Sequence, residues 1–170
     1  MKLSQDTIAI LKNFSTINQS IIFKPGNVIR TISPQKTVMA SATVPDEFPR
    51  EAGIYNLPRF LSTLSMYSEA DLTFEDTRVL FKQGKSSTYV TYTDSSMIVS
   101  PPQKQIDLPG VDVSVHVSGE NLQNVLKATG VLGMPEVAFV GQDGVCYLKA
   151  IDSANPTSDS HSIEVGETAD

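Results

Sequence analysis

The chain has 170 residues, 40% of them apolar, with 13 basic and 19 acidic side chains and a net charge of −6. That length suits one ordinary domain or two small ones, and the acidic balance argues against a surface that grips nucleic acid all over, though a local basic face on an acidic body is compatible with it. No apolar run reaches the roughly 18 residues of a membrane span, and Gln5 and Asp6 stand where a secretory signal would have its apolar core, so a cytoplasmic address is expected.

The first helix is expected over residues 4–18. Ser4 suits its cap and Asp6 its first turn, near the positive end of the helix dipole, and Ile8, Leu11 and Phe14 fall at helical spacing. Residues 20–23 and 28–32, around the turn Lys24-Pro25-Gly26-Asn27, read as a hairpin. A third strand is expected over 37–44, and Pro45, Pro49 and Gly53 mark a loop after it.

A second helix is expected over 56–68, capped by Asn56, with Pro58 in the first turn, where its missing N–H costs little. Leu57, Phe60, Leu61 and Leu64 form its apolar stripe. Strands follow at 71–75, 78–82 and 86–92. The stretch 93–110, with Ser100-Pro101-Pro102 and Pro109-Gly110, reads as an extended connector. Residues 111–117 then alternate as a strand should, and Ser118 caps a third helix over 119–129, ended by Gly130. Strands at 136–140 and 145–151 flank the turn Gly141-Gln142-Asp143-Gly144, and 152–170 reads as a polar tail in which Ile163 and Val165 alone suit a core.

A repeat runs through this order. At an offset of 65, Leu57, Phe60, Leu61, Leu72 and Phe74 land on Leu122, Val125, Leu126, Val137 and Phe139. At an offset of 50, Leu11 lands on Leu61, Phe14 on Leu64, Ile22 on Leu72 and Ile29 on Val79. Each helix is expected to lay its stripe on the strands that follow, giving an α+β fold of repeated helix-plus-antiparallel-sheet units.

Catalytic chemistry has little to work with. His116 and His161 have no partner at metal-ligand spacing, the glycines stand singly rather than in a phosphate loop, and Cys146, the sole cysteine, suits a small buried core residue better than a nucleophile. No enzyme activity, cofactor or metal is expected. Charge placement says more. The three helices carry +1, +1 and 0, through Lys2 and Lys12 against Asp6, Arg59 alone, and Lys127 against Glu120; they total +2, and the rest of the chain carries −8. If the helices share one face, that face is mildly basic and suits loose contact with phosphates.

The run Met1-Lys2-Leu3-Ser4-Gln5-Asp6-Thr7, continued by Leu11-Lys12-Asn13-Phe14-Ser15-Thr16-Ile17-Asn18, closely resembles the start of the DNA polymerase sliding clamps of T-even-type bacteriophages. The resemblance continues at Ile54-Tyr55-Asn56-Leu57, Phe60-Leu61 and Leu64-Ser65, and again at residues 120–126. It implies a DNA-clamp fold and a homotrimeric ring around double-stranded DNA, without activity of its own. Its implied partners are the replicative DNA polymerase, a clamp loader and phage late-transcription proteins, in the cytoplasm of the infected bacterial host.

Matched by position, Lys12, Arg59 and Lys127 are the expected DNA-facing residues, followed by Lys2 and Arg30. By analogy, an apolar groove near Ile98, Val99, Ile106 and Leu108 would take the polymerase. The expected division is a first clamp domain at 1–94, a connector at 95–110 and a partial second domain at 111–170. The resemblance implies four helix-plus-sheet units where this sequence carries three, so the last helix and final strands of the second domain are expected to be missing, with ring closure depending on them. The competing reading is a virion structural or assembly protein that does not encircle DNA.

Overall fold

The computed structural model describes residues 1–102, 110 and 114–167. The chain divides into two units, Met1–Gln105 and Ile106–Asp170; among the described residues the first holds two α-helices with antiparallel sheets and the second one α-helix with a three-stranded antiparallel sheet.

In the first unit, helix α1 (Gln5–Ile17) starts where the Ser4 side chain accepts the Thr7 N–H at 3.2 Å. Asp46 in turn accepts from the Ser4 N–H and hydroxyl at 2.7 and 2.8 Å. Leu11 and Phe14 point into the core at the spacing the sequence shows. Strand β1 (Ile21–Phe23) does not form the expected hairpin with its neighbour. It pairs with β4 (Ala52–Ile54), Ile21 opposite Ile54, while β2 (Gly26–Ile32) pairs with β3 (Met39–Phe48). Gly26, at φ +107°, turns the chain between the two pairings, a backbone region that favours glycine.

Pro45 lies inside β3 rather than in the loop expected after it. The register jumps from Val28↔Thr43 to Gly26↔Phe48, and the proline falls in that irregular stretch, where no ladder N–H is required of it. Gly53 likewise belongs to a strand, β4.

Helix α2 (Leu57–Ser65) begins at Asn56, whose side chain accepts the Arg59 N–H at 2.8 Å, with Pro58 in the first turn. The meander β5 (Asp71–Phe74), β6 (Arg78–Gln83), β7 (Ser86–Thr91) follows as expected. The core closes where the two halves of this unit meet. Phe23 of β1 stacks on Phe48 of β3 at 4.3 Å, and Phe74 of β5 sets its edge against both, at 6.2 and 5.8 Å. Phe60 of α2 meets Phe81 of β6 at 5.1 Å. Such pairs add about 0.5–1.5 kcal/mol each beyond the area they bury.

In the second unit, the Ser118 side chain accepts the Asn121 N–H at 3.1 Å and starts α3 (Gly119–Leu132). The helix runs through Gly130 and ends at Gly133, whose φ of +66° supplies the left-handed cap. Strands β8 (Glu136–Gln142) and β9 (Val145–Ile151) turn at Asp143-Gly144, both at positive φ, the two-residue turn that matches strand twist. The stretch read as a polar tail forms a further strand, β10 (His161–Glu167), paired with β9, and its Ile163 and Val165 pack on Val125, Leu148 and Ala150. Of the strand expected at 111–117, residues 111–113 lie outside the described residues and 114–117 are irregular. Cys146 is buried.

The order helix, then three-stranded meander, thus occurs twice, as α2-β5-β6-β7 and α3-β8-β9-β10. The offset of 50 holds in part in the strands: Ile29 and Val79 are both fully buried, whereas half-buried Ile22 falls on fully buried Leu72.

Candidate nucleic-acid interface and docking cleft

The first turns of α1 and the last turns of α2 line one groove, which includes Lys2, Ile8, Lys12, Leu61 and Leu64. The structure therefore brings two of the five expected DNA-facing residues together. They differ in electrostatic state. Lys2 is held by Glu69 at 2.7 Å. The hydrogen bond and the charge of Glu69 raise the Lys2 pKa above its ordinary value, and the same contact lowers that of Glu69. Lys12 is exposed and makes no ion pair among the described residues.

Arg59, in the first turn of α2, is likewise exposed and unpaired there, as is Lys127 on α3. Arg30 joins a different group. It lies on β2 and donates to the Pro102 carbonyl at 3.0 Å.

That contact belongs to a second concavity in the first unit, a cleft of about 270 Å³ whose walls include Ile22, Val28, Arg30, Val99 and Pro101. Residues 93–102 are laid along this unit by three ties besides the one from Arg30, and a cap within the segment shapes it. The Thr93 N–H donates to Gly53 at 2.9 Å, and the Ser95 hydroxyl to Glu51 at 2.7 Å. Asp94 caps the short turn Ser95–Met97 through the Ser96 N–H, and the Ser96 hydrogen bonds lower its pKa. The Asn18 amide donates to Ile32 and Val99 carbonyls at 2.8 and 3.3 Å.

Of the four residues expected in a partner groove, Val99 lines this cleft at 38% exposure, whereas Ile98 is 5% exposed and packs on Gly53. Alternation along an extended segment gives neighbours opposite fates. Ile106 and Leu108 lie outside the described residues. Val28 and Pro101 were not singled out in the sequence; an exposed valine alternating with buried Ile29 is the signal that marks the cleft wall.

Among the described residues no three His, Cys, Asp or Glu side chains group as a metal site, and no helix is long and apolar enough to cross a membrane.

The signature of the DNA polymerase processivity factors matches residues 3–100. The chain is similar to the sliding clamp of Escherichia phage RB69, 36% identical over 146 residues that cover 85% of this chain and 64% of that one, so the match spans slightly under two thirds of that relative. It is 32% identical to the sliding clamp of Vibrio phage KVP40, over 98% of this chain and 78% of that one. Among solved structures, the beta clamp of Helicobacter pylori superimposes with a TM-score of 0.59 at 16% identity, over 98% of this chain and 55% of that one, a likeness of fold alone. The architecture is the DNA-clamp fold, and the chain belongs to the DNA polymerase processivity factor family, the sliding clamps of these phages.

Proposed function

We infer that the chain is a sliding clamp: it encircles duplex DNA without sequence preference and tethers the replicative DNA polymerase as a processivity factor. The observation that carries this reading is the pair of exposed cations Lys12 and Arg59, unpaired among the described residues, on helices of a chain whose net charge is −6. A ring holds DNA by enclosure, so its inner wall needs only weak phosphate contacts that let it slide. Lys12, Arg59 and Lys127 make those contacts. Lys2, neutralised in part by Glu69, adds less, and Arg30 acts at the cleft instead.

In this reading residues 1–94 form the first clamp domain, 95–110 the connector and 111–170 part of the second. The cleft beside Val99 takes an apolar segment of the polymerase, with Lys24 and Arg30 on its wall to meet an acidic group. A clamp loader opens the ring, phage late-transcription proteins dock on it, and the protein works in the cytoplasm of the infected bacterial host with no reaction of its own.

Primer extension on a long single-stranded template, with the cognate polymerase and loader and a trap for released polymerase, tests this. The expected result is longer product per binding event. Val99→Asp is expected to abolish the gain while leaving the fold intact. Product length unchanged by the wild-type chain would overturn the reading and favour a virion assembly role.

A further inference from the structure

The groove between α1 and α2 has three charged side chains in its lining: Lys2, Lys12 and Glu69. Lys12 is exposed and unpaired among the described residues. Lys2 is not free, because its Nζ donates to a Glu69 carboxylate oxygen at 2.7 Å. One groove thus holds two ammonium groups in opposite states, one open and one occupied.

The occupied one is set up from both sides. The Met1 carbonyl accepts the Leu72 N–H at 2.7 Å and fixes the backbone beside Lys2 to β5. Gln83, at the end of β6, does the same for the acid. Its side-chain oxygen accepts the Ser68 and Glu69 N–H groups at 3.1 and 3.5 Å, and its amide donates to the Ser68 hydroxyl at 2.7 Å. The charge of Asp71 adds to the pull of Glu69 on the ammonium. With both backbones placed in advance, less ordering is needed to form the contact.

Stability does not account for this arrangement. The two side chains are 56% and 71% exposed, and ion pairs that open to water contribute little to folding. The pair does change what the groove offers to a ligand. A carboxylate oxygen at 2.7 Å stands where a phosphate oxygen would stand on the same ammonium, since both anions make charge-assisted hydrogen bonds of that length.

We propose that Glu69 is a built-in competitor for the DNA backbone at Lys2, occupying the ammonium when no phosphate is near and giving way to a phosphate as the duplex passes. The inference rests on the reading of this groove as a DNA-facing surface and adds to it the residue that limits its grip. A phosphate arriving at Lys2 exchanges one anionic partner for another. A phosphate leaving returns the lysine to Glu69 rather than to open solvent. Lys12 has no such competitor among the described residues, so the two lysines of one groove hold phosphate with unequal strength. Contact that forms and breaks by exchange is what a protein moving along DNA needs.

Binding of the 170-residue chain to a fluorescent duplex of mixed sequence, measured over a salt series, is the test. Glu69→Gln removes the charge and keeps the backbone bonds to Gln83. It is expected to steepen the slope of log affinity against log salt by about one, and to tighten binding about three- to tenfold at ~0.1 M salt, the gain of one freed phosphate contact. Adding Lys2→Ala to Glu69→Gln is expected to abolish that gain. Asp76→Asn takes the same charge from the exposed Arg50 pair outside the groove and is expected to leave the slope as it is. All three proteins are expected to melt with the wild type. A wild-type slope that Lys12→Ala lowers but Glu69→Gln does not steepen would overturn the role of Glu69 and leave the clamp reading in place. No salt-dependent binding by any of the chains would overturn both. A gain that survives Lys2→Ala, or that Asp76→Asn reproduces, would assign the effect to overall charge and overturn the proposal.

Discussion

Thr93 donates its backbone N–H to the carbonyl oxygen of Gly53 at 2.9 Å, and its own carbonyl oxygen fills the space a side chain at position 53 would need. The glycine is required by this close approach, not by its backbone angles. Gly53→Ala is expected to cost about 1–3 kcal/mol, the usual range for overpacking, and to speed amide exchange at Ile98 and Val99 as the 93–102 segment loosens. Urea unfolding with exchange on the same samples checks both effects; an unchanged midpoint would mean the segment is not held there.

Acid should unfold the first unit partly through Asp46. Burial raises the pKa of this carboxylate, but hydrogen bonds from Thr7 and from the Ser4 N–H and hydroxyl outweigh that and hold it below the usual value. A lowered folded pKa means that the stabilisation is complete above the unfolded value, about 3.9, and is lost as pH falls through the lower folded one. Asp46→Asn is expected to cost about 1–2 kcal/mol at neutral pH, with the gap to wild type closing as pH falls through the lowered folded-state pKa. A gap that stays constant through acid titration would remove the carboxylate from the account.

Salt dependence separates the cations. Lys12→Ala and Arg59→Ala should each lower the slope of log affinity for duplex DNA against log salt by about one, equally on any sequence. Lys2→Ala should lower it less, because Glu69 already neutralises that ammonium. Arg30→Ala should leave it unchanged. A Lys12→Ala/Arg59→Ala double variant with the wild-type slope would take α1 and α2 off the DNA.

Much of this was legible in the sequence, and the misses share a cause. The helices announced themselves through caps, Ser4, Asn56 and Ser118, and through apolar stripes, all local signals. Strand β1 was misassigned because its partner is β4, some thirty residues on, and local pattern cannot rank a distant strand against the next one. Strand β10 went unseen because His161–Glu167 holds only two core residues among polar ones, as an outer strand of a half-covered sheet can. The cleft was half legible for the same reason: Val99 and Ile98 look alike in sequence, and only the tie of Thr93 to Gly53 decides which one turns inward.

Truncating the two equivalent phenylalanines should give unlike results. Phe74 is 9% exposed and touches two other rings, so Phe74→Ala is expected to cost about 3–5 kcal/mol. Phe139 is 58% exposed, and Phe139→Ala should change stability by no more than about 0.5 kcal/mol. Equal losses would show that β8 is covered within its own chain.

The bonds from Met1 to Leu72 and from Asn18 to Val99 also govern the order in which the protein forms. Helix α1 packs mainly on β3 and α2, so it stays amphipathic and uncovered until the chain through α2 has been made. Contacts this distant in sequence slow folding. The nascent first half is therefore the stage at which this protein is most open to chaperones and to aggregation.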